Sequence, residues 1–103
     1  MYKIQYLPQV KTDLAEIVGY ISTELHAPKA ALDLLDDLEH SIEILGKFPY
    51  SHRVYIPIKA LDCEYRILPV NNYLVFYTVI EHEKIVEISR ILYGRMNVDS
   101  LIK

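Results

Sequence analysis

The 103-residue sequence contains one cysteine, Cys63, three glycines and no tryptophan. A lone cysteine cannot form an internal disulfide, and such a residue is more often a small apolar side chain than a nucleophile. Three glycines are too few to favour a glycine-rich phosphate-binding loop, and no serine or cysteine stands in a nucleophile-elbow motif. These absences count against nucleotide binding by a loop and against covalent catalysis.

Signatures of metal binding and of membrane insertion are also missing. The four histidines, His26, His40, His52 and His82, are far apart, and neither an HExxH nor a CxxC motif occurs. No apolar run reaches the length of a signal peptide or a membrane span. The sequence therefore predicts a cytoplasmic protein with no metal, no cofactor and no membrane partner.

The net charge of −3 conceals an asymmetry between the two halves of the chain. Residues 1–52 carry four lysines and eight acids, whereas residues 53–103 carry all four arginines, three lysines and six acids. Arginine is suited to bidentate contact with phosphate or carboxylate, so an anionic ligand is expected on the second half. The alternative is that these arginines are ordinary surface residues.

Three strands joined by two tight turns are predicted within residues 64–95. In Tyr73–Ile80 the odd-numbered and the even-numbered residues are both mostly apolar. This is the pattern of a central strand covered on both faces. Asn71-Asn72 can supply the left-handed backbone of a hairpin turn, and the polar residues Glu81–Lys84 form the second reversal. The β-branched run Ile85–Tyr93 is the third strand, and the whole segment is an antiparallel meander.

A short strand and two amphipathic helices are predicted before the meander. Met1–Leu7 alternates apolar and polar residues, and apolar residues then recur every three or four positions over Pro8–Leu25 and Pro28–Gly46. Because the break between the helices is so short, they should pack as an antiparallel hairpin. Gly19 weakens the first helix by about 1 kcal/mol relative to alanine, which indicates that another backbone passes close to it. The buried stripe of the second helix is expected to be Ala31, Leu34, Leu35, Leu38, Ile42 and Leu45, opposite a solvated acidic face.

Two regions are harder to interpret. Val54–Ile56 fits either a short edge strand ended by Pro57 or a loop packed on the sheet, and we favour the loop. In the tail, Val98, Leu101 and Ile102 have the spacing of one helical turn. The element order predicts a single α+β domain over residues 1–103, with an N-terminal strand, a helical hairpin and a three-stranded antiparallel meander.

The sheet carries the residues with the clearest chemical potential: Arg66, Tyr77, Arg90, Tyr93 and Arg95. The element order, the FPY after the helices, the run YRILPVNNYLVFYTV and the closing ILYGRMN together resemble the RelE/ParE superfamily of bacterial type II toxins. The resemblance covers essentially the whole chain. It implies a RelE/ParE-like fold, a role in growth inhibition and plasmid stabilisation, and a cognate antitoxin whose flexible segment wraps the toxin. Contacts to target or antitoxin are then expected from Arg53, Arg66, Tyr77, Arg90 and Arg95.

This superfamily has two functional branches, and the sequence resembles one of them more. In the ribonuclease branch an arginine follows the tyrosine at the head of the central strand, where this chain has Leu74. In the branch that inhibits DNA gyrase, that strand reads Tyr-aliphatic-aliphatic-Phe-Tyr, as residues 73–77 do, and an arginine such as Arg66 shortly precedes a Leu-Pro. The closing Tyr93–Asn97 lacks one basic and one acidic position of the relatives' motif. The resemblance therefore favours gyrase as the target.

Metal-free, ribosome-dependent cleavage of mRNA stays open as the alternative. Such cleavage needs a general base, a general acid and cations near the phosphate. Here His52 or Tyr93 could serve as base and acid, with Arg53, Arg66 and Arg95 as cations. A net acidic chain is poorly suited to ribosomal RNA, and no sequence-specific DNA binding by the chain alone is expected. A third possibility is a relative that has lost toxicity and only binds a partner.

Overall fold

Four strands and two helices make up the part of the chain that the computed structural model describes, residues 1–55 and 64–94. In chain order they are β1 (Lys3–Tyr6), α1 (Pro8–Gly19), α2 (Pro28–Ile44), β2 (Arg66–Val70), β3 (Tyr73–Ile80) and β4 (Ile85–Tyr93). A π-helical turn, Tyr20–Glu24, continues α1, and a 3-10 turn, Glu81–Glu83, joins β3 to β4. The predicted α+β order of strand, two helices and three strands is confirmed.

The four strands form one sheet in the order β1-β4-β3-β2. β2, β3 and β4 are antiparallel neighbours, as the meander requires, whereas β1 runs parallel to β4 and pairs only with Ile85–Ile88. Among the described residues, the rest of β4 therefore has no neighbouring strand on that side. The register between β3 and β4 shifts next to Ile88, since Phe76 pairs with Arg90 but Tyr77 pairs with Ile88. Ser89 is left over as a β-bulge, which bends the strand.

Apolar side chains cover both faces of the central strand β3. Val75 and Tyr77 point into the main core beneath the helices, whereas Phe76 belongs to a smaller cluster on the opposite face. The ring of Tyr55 meets Phe76 edge-on at a centroid distance of 5.2 Å. The loop that precedes β2 thus covers the outer face, and the predicted two-sided burial of β3 is confirmed.

The first helical segment has the predicted length, but the environment of its glycine, Gly19, differs from the prediction. α-Helical winding stops at Gly19, and the π-helical turn carries the chain on to Glu24. A Cβ at Gly19 would meet no atom within 4 Å, so the expected close backbone at Gly19 is wrong. The close approach occurs instead at Gly46, where a Cβ would lie 3.0 Å from the carbonyl oxygen of Tyr2. Glycine at position 46 therefore allows the chain entering β1 to lie against the end of α2.

The turns and the segment before β2 also follow the sequence predictions. Asn71 has a left-handed φ of 55° in the first turn, and Lys84 has a φ of 56° after the second. Val54 makes one isolated bridge to Arg66, and the Ile67 N–H donates to the Arg53 carbonyl at 3.1 Å. The segment up to Tyr55 is thus a loop packed on the sheet, as favoured. The predictions for Ile56, Pro57 and Cys63, for Arg95, and for the turn with Val98, Leu101 and Ile102 lie outside the described residues.

Candidate functional site

The side chain of Arg66 is largely engaged within the protein. Its Nη1 donates to the carbonyl oxygen of His52 at 2.7 Å, and its Nη2 lies 3.6 Å from a carboxylate oxygen of Glu64. The Tyr50 ring lies under the guanidinium, with Cζ 5.0 Å from the ring centroid, and only 18% of the side chain is exposed. Arg66 therefore holds the loop before β2 against the sheet, and little of its side chain is exposed to a ligand.

Tyr77 lies in the core, which corrects the expectation that it contacts a partner. Its side chain is 0% exposed, and its hydroxyl donates to the Pro49 carbonyl at 2.8 Å. A fully buried ring cannot touch another protein. Its hydroxyl holds the loop that follows α2 against the sheet.

Arg90 is paired with Asp13 of α1. The Arg90 Nε lies 2.9 Å from Asp13 Oδ2 and its Nη2 lies 3.0 Å from Oδ1. The same carboxylate accepts the Ile91 backbone N–H at 3.0 Å and the Gln9 amide at 3.2 Å, although Asp13 is only 4% exposed. Burial acts to raise the pKa of Asp13, but the hydrogen bonds from Arg90, Ile91 and Gln9 outweigh it and lower that pKa. An ionised Asp13 thus occupies the edge of β4 where β1 has ended.

An open groove of about 740 Å³ lies between the end of α1, the π-helical turn and the open edge of β4. We call it the α1–β4 groove. Tyr20, Leu25 and Tyr93 are exposed along it, and the Tyr93 ring contacts Tyr73 at a centroid distance of 5.6 Å. The other residues that line it are Asp13, Glu16, Ile17, Ile21, Ala27, Ala30, Asn72, Arg90, Ile91 and Leu92. This is a mostly apolar, aromatic surface with an ion pair in one wall, which suits a segment of another protein.

A polar cluster lies at the turn between β3 and β4, at the other end of the sheet. One Glu81 oxygen accepts the Tyr2 hydroxyl at 2.6 Å and the Tyr50 hydroxyl at 2.5 Å, and the other accepts Lys84 Nζ. Hydrogen bonds from Lys84, Tyr2 and Tyr50 lower the pKa of Glu81 to about 2. The Glu81 hydrogen bond raises the pKa of Tyr50 to about 12. At neutral pH these groups are therefore fixed in one protonation state and tie the N-terminus to the turn.

Among the described residues proposed for RNA cleavage, the structure separates Arg66 from Tyr93. Arg66 pairs with Tyr77 across β2 and β3, whereas Tyr93 pairs with Tyr73 across β3 and β4. Tyr73 and Tyr77 are four residues apart on β3, which corresponds to about 13 Å along the sheet. An acid and a base for one phosphate must each reach an oxygen of that phosphate at about 3 Å. The His52 carbonyl contacts the Arg66 side chain, so His52 belongs to the Arg66 end of this distance.

The remaining candidates are distributed as follows. Arg53 is exposed on the loop before β2, and Arg95 lies outside the described residues. Within residues 1–55 and 64–94, no three His, Cys, Asp or Glu side chains are grouped so as to hold a metal ion. No helix in this part of the chain is long and apolar enough to cross a membrane.

Comparison with known proteins agrees with the resemblance noted in the sequence. Residues 4–98 match the family described as the ParE toxin of the type II toxin–antitoxin system, parDE. The chain belongs to the ParE toxin family. Comparison with curated protein sequences gives no match.

Two solved structures share the fold of this ParE-family toxin. One, from a chromosomal ParDE system of P. aeruginosa, is 18% identical with a TM-score of 0.70, over 90% of this chain and 96% of that one. The other, from the RelBE2 toxin–antitoxin complex of Mycobacterium tuberculosis, is 16% identical with a TM-score of 0.58, over 89% and 96%. The predicted RelE/ParE-like fold is confirmed.

Two hydrogen-bonding carboxylates of this ParE-family chain, Asp13 and Glu81, were not predicted from the sequence. Asp13 stands three positions after Val10, on the apolar side of α1, where a carboxylate has to find a buried partner. That position was the available signal. Nothing comparable marks Glu81, because an acidic residue in a turn is ordinary.

Proposed function

We propose that this ParE-family protein is a cytoplasmic toxin that arrests growth by binding DNA gyrase and is neutralised by an antitoxin segment held in the α1–β4 groove. The observation that carries the proposal is the groove itself. It leaves aromatic and aliphatic side chains exposed beside a sheet edge, and the known neighbours come from toxin–antitoxin systems.

The chemistry of the groove favours a protein partner. Tyr20, Leu25 and Tyr93 present apolar surface to water, and burial of such surface contributes about 25 cal/mol per Å². Tyrosine rings also add contact area at a low cost in side-chain entropy, because they rotate about only two bonds. The Asp13–Arg90 pair keeps one wall of the groove rigid, so little ordering is needed when a partner binds.

Thermal unfolding with the product of the adjacent reading frame as antitoxin tests the groove. Binding to the folded toxin should raise its melting temperature, with about 2.7 kcal/mol of added stability at 100 times Kd. Leu25→Glu should reduce this shift, because a carboxylate in the apolar groove lacks a partner.

Leu32→Glu is the matched control. Leu32 is 61% exposed and Leu25 is 55% exposed, but only Leu25 lines the groove. An unchanged melting temperature at saturating antitoxin would contradict the toxin assignment. Equal loss of the shift in both variants would contradict the groove as the binding site.

Three features support gyrase binding over mRNA cleavage. Leu74 packs against the outer-face cluster with Phe76, where the ribonuclease branch has an arginine. Arg66 is mostly buried and bonded to the His52 carbonyl, and Tyr93 lies at the other end of the sheet. One preorganised cation near the phosphate is worth about 10²–10³ in rate, and leucine cannot supply it. Arg53, exposed on its loop, is the cation we assign to contact with the target.

A pair of assays separates the two activities. Purified protein should inhibit gyrase supercoiling, Arg53→Ala should weaken that inhibition, and message on translating ribosomes should stay intact. Tyr93→Phe is the sharper test of cleavage, because it removes only a hydroxyl, whereas Arg66→Ala also releases the loop before β2. Cuts that require ribosomes and vanish in Tyr93→Phe would overturn the gyrase assignment and favour the nuclease.

A further inference from the structure

The two walls of the α1–β4 groove differ in how firmly they are held. One wall is fixed by the ion pair of Asp13 with Arg90, which joins α1 to the sheet. The other wall is the π-helical turn with the residue that follows it, residues 20–25, which we call the flap. Tyr20 and Leu25, at its two ends, are 54% and 55% exposed. The flap contacts mainly α1 and α2 rather than the sheet, so nothing comparable to the ion pair ties it to β4.

The backbone of the flap is wound more widely than that of α1. The Leu25 N–H donates to the Tyr20 carbonyl at 3.1 Å, one residue further back than in an α-helix. The Ala27 N–H donates to the Ile21 carbonyl at 3.0 Å, which is a wider turn still. Ile21 is the one buried side chain of the flap. Single π-helical turns are rare and are frequent at functional sites.

Gly19 lies where α1 passes into the flap, and nothing in the observed backbone requires a glycine there. Its φ of −61° and ψ of −43° are ordinary helical angles, and a Cβ would meet no atom within 4 Å. Alanine is the more favourable residue in such a position. Gly46 differs, because a Cβ there would lie 3.0 Å from the Tyr2 carbonyl oxygen. The freedom of Gly19 is therefore suited to a second conformation, with a left-handed backbone that alanine avoids.

His26, directly after the flap, already has such a backbone. Its φ of 50° is left-handed, which is uncommon for a residue other than glycine. Hinges in proteins are a few residues at the ends of elements that absorb large changes in φ and ψ. Gly19 and His26 thus flank the flap in the positions that two hinges would occupy.

We propose that the flap is a hinged wall of the α1–β4 groove, which turns about Gly19 and His26 and closes Tyr20 and Leu25 over the segment bound there. This rests on the proposed function, since the antitoxin supplies that segment. Closure buries two exposed apolar side chains, while the Asp13–Arg90 wall stays in place. Glycine at position 19 makes the free toxin less stable than alanine would, and this loss is regained as affinity.

Amide hydrogen exchange of the full chain without a partner, followed by NMR, tests whether the flap moves. Amides of residues 20–25 should exchange at least about tenfold faster than those of residues 11–18, because they open locally. Gly19→Ala should slow exchange in the flap about threefold, since alanine favours the helical backbone. Thr12→Ala is the matched control. It also raises helix propensity at an exposed position of α1 but lies outside the groove, so it should leave the flap unchanged.

The affinity test uses the product of the adjacent reading frame as antitoxin, measured by titration calorimetry. Gly19→Ala should bind it at least about tenfold more weakly than the wild type, although this variant melts at a higher temperature. Thr12→Ala should bind as the wild type does. Gly19→Asn should bind more tightly than Gly19→Ala, because asparagine enters the left-handed region more easily than alanine.

Four results would overturn the inference: exchange in the flap as slow as in residues 11–18, wild-type affinity in Gly19→Ala, equal affinity of Gly19→Asn and Gly19→Ala, or equal loss in Thr12→Ala. The last would mean that helix stability, and not a hinge, sets the affinity. Failure of the proposed function has a different signature. If the wild type shows no thermal shift with antitoxin, the toxin assignment fails and the exchange measurement alone decides the hinge. If Leu25→Glu abolishes the shift while Gly19→Ala leaves affinity unchanged, the groove stands and the hinge does not.

Discussion

The two helices carry similar apolar stripes but use them differently. In α2 the stripe is buried except for half-buried Leu35, with Leu38 2% exposed, whereas in the first helical segment it runs from buried Val10 to exposed Leu25. The reason is what lies beneath each helix. α2 packs over the sheet near β2, while α1 crosses β4 beyond the end of β1, where no other strand of residues 1–55 or 64–94 pairs with β4. The same periodicity therefore predicts a core in one helix and, in the other, a surface available to a partner.

The largest expected effect separates the two stripes directly. Leu38→Ala removes buried methyl groups and should reduce the free energy of unfolding by about 2–5 kcal/mol. Leu25→Ala, at the exposed end of the other stripe, should change it by less than about 0.5 kcal/mol. Urea unfolding followed by circular dichroism measures both. A loss below about 0.5 kcal/mol in Leu38→Ala would show that the α2 stripe is not core.

The next effect tests what holds α1 to the open part of β4. Asp13→Asn removes the charge that Arg90 and the Ile91 N–H share, and should cost about 1–3 kcal/mol. The pH dependence follows from the lowered pKa of Asp13. Its contribution is present above the unfolded carboxyl value of about 3.9 and is lost as the pH falls through the folded value. Wild-type stability should therefore fall more steeply on acidification than that of Asp13→Asn, and parallel curves would rule out this role.

The smallest effects compare the glycines at the ends of the two helical segments. Gly19 has helical backbone with φ of −61° and free space around it, so Gly19→Ala should stabilise the protein by about 0.5–1 kcal/mol. Gly46→Ala should destabilise it by about 1 kcal/mol, because the new Cβ would press on the Tyr2 carbonyl. Thermal melts of both variants give the two signs, and the same sign in both would contradict the contacts described.

Local periodicity was sufficient to predict most of the fold. The two-sided pattern of Tyr73–Ile80, the Asn71-Asn72 turn and the α2 stripe each depend on residues close in sequence. Each was confirmed, except that Leu35 of the stripe is only half-buried. The parallel pairing of β1 with β4 was not predictable in this way, because it joins residues 3–6 to residues 85–88. Without that pairing, the sequence gives no means of knowing which part of the first stripe stays exposed.

The candidate site was predicted less well, for the same reason. Arg66 and Arg90 were identified from their charge, but their partners, His52 and Asp13, are 14 and 77 positions away. The burial of Tyr77 was already implied by the alternation along β3, and the expected surface role of that residue conflicted with it. Residue type alone shows which side chains can bind an ion, and only the fold shows which of them are already occupied.

The parallel pairing of β1 with β4 also sets the order in which a new chain can become functional. β1 (residues 3–6) is synthesised well before its neighbour in the sheet (residues 85–88), so their contact is of very long range in sequence. Until β4 has been made, Asp13 has no Arg90 beside it, and one wall of the α1–β4 groove is absent. A nascent chain that ends at β3 can thus form helices but not the surface that we assign to the antitoxin. The proposed antitoxin surface therefore forms only after β4 has been translated.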